Sequence, residues 1–343
     1  MIIIHTLLII ANVYYLRAQP ENNTTICPLQ DPAVMNFRKY LEIDTSRSEN
    51  LYKAVDFLRS LSSEIGLDFA VYTPAGIPIC VLTWPGVDPS LPSIMLNSHM
   101  DVVEADEARW KYPPFAAHVD ENCNVYARGA QDTKDVGILY IEAIRRLKKQ
   151  NAALNRTIHI TFMPAMNFTV MGTGGHGFLM PGDVAVEKLQ RLLDVMLNYR
   201  KSLREAVASE EPTNYGPYTS LNINIINVNS WAEYAGEGTK LEFLRQEMES
   251  SATSVDDNNP YWVTLKNTIN ELGVKLVPII CPATSDMLFV RNYGIPALGF
   301  VPVFRTTQKL HQDNEYINLG IFLHGIDIYE AVIRNLGNLP RIL

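Results

Sequence analysis

The segment Lys134–Lys149 constrains this chain more than any other. It sets Val136, Leu139, Tyr140, Ala143, Ile144 and Leu147 on one face at helical spacing, with Arg145, Arg146, Lys148 and Lys149 toward its end. That is an amphipathic helix whose basic last turns suit the helix dipole. Runs rich in β-formers lie on both sides, Ser93–Leu96 before it and Arg156–Met163 after it. A strand, an amphipathic helix and a second strand in succession bury their apolar faces as layers, so the expected fold class is α/β.

The same periodicities extend along the chain. Helices are expected over 35–43 and 50–65, the second stopping at Gly66, and strands over Phe69–Tyr72 and Ile77–Thr83. A long helix over 183–207 and the alternating run Ser220–Val228 read as a smaller α+β unit. Helical patterning returns at Trp262–Leu272 and Leu319–Leu336. A length of 343 residues is that of two domains. A formal charge of -8 argues against nucleic acid as a partner, because phosphate-backbone binders need a clustered positive field.

Residues 1–18 hold the apolar run Ile2, Ile3, Ile4, Leu7, Leu8, Ile9, Ile10 and end at the small residue Ala18. They read as a secretory signal peptide, although the n-region lacks Lys or Arg. The run is short for a membrane span, and no later segment offers a longer one. The expected location is therefore secreted or lumenal, with a cytoplasmic one if the leader is not functional. Residues 19–31 form a polar leader. Acceptor sequons at Asn22, Asn23, Asn155 and Asn167 fit export. Cys27, Cys80, Cys123 and Cys281 are widely spaced, which leaves one or two disulfides open and favours inert buried thiols at Cys80 and Cys281.

Three places carry metal-binding residue types. His99-Met100-Asp101 follows an apolar strand, so the imidazole stands at a strand's carboxyl end, with a carboxylate two residues on that can orient it. Asp132 lies just before the amphipathic helix, where its plain reading is an N-cap. His311, alone, is a surface-loop histidine.

Together, these stretches resemble a known family. Leu96-Asn97-Ser98-His99-Met100-Asp101-Val102-Val103, then Trp110, Pro114-Phe115 and Tyr126-Ala127-Arg128-Gly129-Ala130-Gln131-Asp132-Thr133-Lys134, are similar in order and spacing to the zinc motifs of the aminoacylase-1-like dinuclear zinc exopeptidases and amidohydrolases, peptidase family M20. Val81–Gly86, Arg156–Phe162, Gly236-Glu237-Gly238 and Pro296–Phe300 extend the likeness. The resemblance implies a zinc-exopeptidase-like catalytic domain, a central mixed sheet flanked by helices, made of residues 32–165 and 255–343. An inserted, incomplete α+β lid and dimerisation domain would span 166–254. It also implies His99, Asp132 and His311 as metal ligands, with Asp132 bridging two zinc ions and Asp101 orienting His99. His176 would be a lid histidine that stabilises an oxyanion across a homodimer, and the substrate an N-acylated amino acid.

The chain departs from that pattern. In the family the strand matching Arg156–Phe162 is followed by two adjacent glutamates, the general base and a zinc ligand. Here no Asp or Glu occurs between Glu142 and Asp183. A further acidic ligand, lid strands near Asn229 and an arginine at the position of Leu288 are absent as well. Asp183 and Glu187 read as compensation of a helix dipole, and Asp313 and Glu315 as acids on the wrong strand end for a base. Two zinc ions sharing three ligands are not held tightly, so at most one weakly bound ion is expected. The missing lid strands argue against the family homodimer. Three readings follow: an impaired amidohydrolase, a non-catalytic secreted binding relative, or an incomplete splice form or gene model of an active enzyme.

Overall fold

The computed structural model describes residues 2–5, 26–164, 198, 201, 202, 205, 252–274, 276–278, 287–304 and 306–341. The chain divides into two compact units, one of Met1–Ala165, Ser250–Pro278 and Ser285–Leu343, the other of Met166–Glu249 and Ile279–Thr284. The first carries everything described below except four helical positions between 198 and 205.

Its strands are β1 (Ile2–His5), β2 (Asp68–Tyr72), β3 (Ile79–Trp84), β4 (Ile94–His99), β5 (His118–Val119), β6 (Asn124–Tyr126), β7 (Ile158–Met163), β8 (Ala297–Gly299) and β9 (Tyr316–Asn318). Six form one sheet in the order β2-β3-β7-β4-β1-β8, and β5-β6-β9 form a small second one. The large sheet is mixed: β2, β3 and β7 pair antiparallel, whereas β7, β4, β1 and β8 run parallel. Its helices are α1 (Pro32–Leu41), α2 (Leu51–Ile65), α3 (Lys134–Lys149), α4 (Pro260–Glu271), α5 (Met287–Asn292) and α6 (Leu319–Gly337).

α3 has the limits its periodicity predicts, and it is buried along nearly its whole length. Such close approach to the sheet needs Gly137, since a Cβ there would stand 2.4 Å from the Phe162 ring. α2 ends as expected at Gly66, whose φ of +66° is open to glycine. α6 packs against α3, and Phe322 of α6 stacks on Phe37 of α1 at 4.3 Å.

Cys27 and Cys123 form a disulfide that pins the leader to the turn between β5 and β6, while Cys80 is buried and free. Cys281 lies outside the described residues. His159, half-buried on β7, meets the Thr83 hydroxyl at 2.9 Å. The expected signal segment contributes β1, an interior strand of the large sheet. Among the described residues no helix is long and apolar enough to cross a membrane.

Candidate active site

Parallel strands deliver the site. β4 ends at His99, and its neighbour β7 brings Met163 into register beside it. The turn before α3 supplies Asp132, and the loop before β9 supplies His311 at a φ of +59°. His99 Nε2 lies 3.0 Å from Asp132 Oδ1, and His311 Nε2 lies 2.8 Å from Asp132 Oδ2. Each oxygen of one carboxylate therefore faces a different imidazole. Nδ1 of His99 donates to the backbone carbonyl of Asp101 at 2.8 Å, with the Asp101 carboxylate at 3.4 Å. Both the main-chain carbonyl and the carboxylate of Asp101 thus face that ring nitrogen.

The plain reading of Asp132 as an N-cap does not hold. Thr133 occupies the cap position of α3 without a side-chain cap, and the Asp132 carboxylate turns toward the histidines. Thr133 instead ties two loops together. Its hydroxyl accepts from His99 N at 3.1 Å and meets Ser98 Oγ at 3.0 Å, while Ser98 Oγ donates to the Thr133 carbonyl at 2.8 Å.

Two positioning groups escape the sequence reading. Glu315, read from the sequence only as an acid on the wrong strand end for a base, is fully buried. It accepts from Arg128 Nη1 at 2.9 Å, from Gly129 N at 3.1 Å and from Gln131 N at 2.6 Å. Gln131 donates through Nε2 to the carbonyls of Thr307 and Tyr316 and accepts from Lys309 N at 3.0 Å. The turn that carries Asp132 and the loop that carries His311 are thereby one hydrogen-bonded piece. Trp110 lies beside it, buried, with the Arg128 guanidinium 5.2 Å from its ring.

Burial pushes the Asp132 carboxyl up, but His99 and His311 pull harder, leaving it well below the usual carboxylate range. Burial lowers His99, and Asp132 and Asp101 more than reverse this, so the ring is held well above its ordinary value. Lys134, fully buried, donates to the carbonyls of Tyr40 and Ile43 and is brought down to about 7 by desolvation. Burial raises Glu315 to about 7 against the pull of Gln131 N–H and Arg128.

An ion at either oxygen of Asp132 would find one imidazole nitrogen and one carboxylate oxygen, whereas zinc takes three or four protein ligands. Among the described residues no group of three or more His, Cys, Asp or Glu side chains is arranged to hold a metal ion. This donor set does not fit a zinc pair. His176, Asn22, Asn23 and Asn167 lie outside the described residues. Asn155 is exposed on the turn before β7, away from these groups in the sequence and the fold.

The sequence pattern of peptidase family M20/M25/M40 matches residues 95–335. The chain belongs to that family. Rat aminoacylase-1A is 32% identical over 396 residues, which cover 91% of this M20 chain and 97% of the rat protein. That alignment is longer than the 343-residue chain, so the rat protein carries segments with no counterpart here. An M20 family metallo-carboxypeptidase from Sulfolobus solfataricus superposes with a TM-score of 0.62 at 15% identity, covering 90% of this chain and 99% of its own. Human carnosine dipeptidase 1 gives 0.61 at 12% identity, with 91% and 98% covered. The mixed α/β architecture is that of M20 peptidases.

Proposed function

We propose that this chain is an aminoacylase-type amidohydrolase scaffold, related to enzymes acting on N-acyl amino acids, whose own hydrolytic capacity is lost or severely impaired. One observation carries the reading. Beside β4, which ends in His99, β7 ends in Met163 and Pro164, and no acid follows before Asp183. Amide hydrolysis needs a group that takes a proton from the attacking water, and a positioned base contributes about 10²–10⁴ in rate. By the family resemblance, that base and a metal ligand belong just after this strand. His99, Asp132 and His311 remain, held by Glu315, Gln131 and Thr133, so the scaffold keeps a positioned polar cluster without the acid that drives the reaction.

The chain is a lumenal or secreted protein in this reading. The Cys27–Cys123 disulfide supports that, since such bonds persist in oxidising compartments. The exposed Asn155 sequon supports it too. The purified full chain is expected to leave N-acetyl-methionine intact and to hold fewer than two zinc ions per chain by elemental analysis. Hydrolysis abolished by a chelator overturns the reading.

A second reading, an incomplete splice form of an active enzyme, is favoured by the alignment that outruns the chain. Sequencing the transcript across the codons for Pro164–Asn167 and Asn227–Ser230 decides between them. A transcript without inserted coding sequence leaves the first reading standing.

A further inference from the structure

β1 occupies an interior position of the large sheet. It pairs parallel with β4 through Ile2–Ile94, Ile3–Met95, Ile4–Leu96 and His5–Asn97, and with β8 through Ile3–Ala297, Ile4–Leu298 and His5–Gly299. Among the described residues, β8 has no sheet neighbour except β1. Four residues near the amino terminus therefore join the two ends of the chain's parallel sheet.

β8 does not depend on β1 for its position. Arg291 Nη2 donates to the Ala297 carbonyl at 2.7 Å, Ala297 N donates to Thr253 Oγ1 at 2.9 Å, and the Tyr329 hydroxyl donates to the Phe300 carbonyl just beyond. β4 is fixed on its other edge by six register pairs with β7. Strands in a sheet stand about 4.8 Å apart, so with β1 gone β4 and β8 face each other across about 9.6 Å. That is too far for hydrogen bonds and is one strand wide. Ile94 and Leu96 of β4 and Ala297 of β8 are buried.

We propose that the space between β4 and β8 is a parallel-strand acceptor slot, and that Ile2–His5 of the unprocessed chain is its occupant. The segment suits the role, because a strand buried between parallel neighbours reads as an uninterrupted apolar run, as Ile2-Ile3-Ile4 does. The same run reads as part of a secretory signal. Cleavage after Ala18 therefore empties the slot, and completeness of the sheet depends on the processing state of the leader.

Hydrogen exchange on the full chain and on a chain beginning at Gln19, both with Cys27–Cys123 oxidised, tests this. Ile94 N and Ala297 N bond away from β1, so by strand alternation the amides that face it are Met95 and Asn97 of β4 and Leu298 of β8; these should be protected in the full chain, lose protection in the shorter one, and regain it when a peptide of residues 1–8 is added. Equal protection in the two chains, or no recovery with peptide, overturns the slot. If the shorter chain fails to fold, Ile3→Pro in the full chain takes its place. Proline removes a ladder N–H, so protection should fall at β4 and β8 while α3 and α6 keep theirs. Unchanged exchange at β8 in that variant overturns the proposal.

Discussion

Two neighbouring strand ends divide this molecule. β4 and β7 run parallel in register, and His99 stands beside Met163. At the β4 end every group is over-determined: His99 is held at both ring nitrogens, Thr133 binds its backbone N–H, and Asp132 and His311 ride on loops clamped by Glu315 and Gln131. At the β7 end the chain offers a thioether and a proline. The difference teaches that positioning and reactivity are separable parts of such a site. The hydrogen-bonded frame depends on residues from 98 to 133 and 307 to 316, so it stands whatever follows Met163.

The largest expected effect breaks the determined side. Glu315→Ala leaves the buried Arg128 guanidinium without its partner and two backbone N–H groups, of Gly129 and Gln131, without an acceptor. Removing one member of a buried ion pair costs about 3–5 kcal/mol. Urea unfolding should show a loss of that size. A loss below about 1 kcal/mol would mean that the frame does not rest on Glu315 and that the contrast between the two strand ends is shallower than the bonding suggests.

How much of this was legible beforehand follows from range. α3 is local: sixteen residues of one sequence window carry its face and its basic end, and the helix has the expected limits. His99, Asp132 and His311 were legible as a set only through resemblance, because each alone has a commoner explanation. Glu315 was not legible. Its partners lie 184 to 187 residues away, and in sequence it is one acid in a polar loop. Pairing of Cys27 with Cys123 was open for the same reason, at a separation of 96 residues. β1 was not legible as a strand, since a short isoleucine run has the composition of both a signal core and a buried parallel strand. The lid readings, including His176, fall on residues 166–254, which the described structure reaches only at four helical positions and 252–254.

A second test probes a flaw within the determined side. Asp135, the second residue of α3, is fully buried with neither carboxylate oxygen hydrogen-bonded to a neighbouring side chain or backbone group among the described residues. Burial raises its carboxyl well above the ordinary value, so the folded chain holds that proton to higher pH than the unfolded chain does. Stability attached to this group is full below the unfolded value of about 3.9 and is lost as pH rises toward the folded value. Asp135→Asn removes that loss. The variant should match the parent near pH 4 and exceed it at pH 7 by about 1–3 kcal/mol, the desolvation penalty of an unsatisfied group. A variant weaker than the parent at pH 7 would place Asp135 among the satisfied groups of the frame.

The smallest expected effect bears on the β7 end. If each prospective ion meets one imidazole and one carboxylate oxygen, zinc binds weakly, with a Kd no lower than the concentration supplied in the titration. A ligand present at its own Kd stabilises the folded state by about 0.4 kcal/mol, against about 4 kcal/mol at a thousandfold excess over Kd. Thermal melts with and without zinc should therefore differ by a degree or two at most. A shift matching several kcal/mol would mean that residues beyond Pro164 complete the centre, and the two strand ends would then be unequal in sequence but equal in function. Paired variants separate specific from stray binding: His99→Ala abolishes the small shift if the ion sits at Asp132 Oδ1 and His311→Ala abolishes it if the ion sits at Oδ2, whereas both leave it untouched if zinc binds elsewhere, because each histidine supplies one of the two ligating atoms at its oxygen.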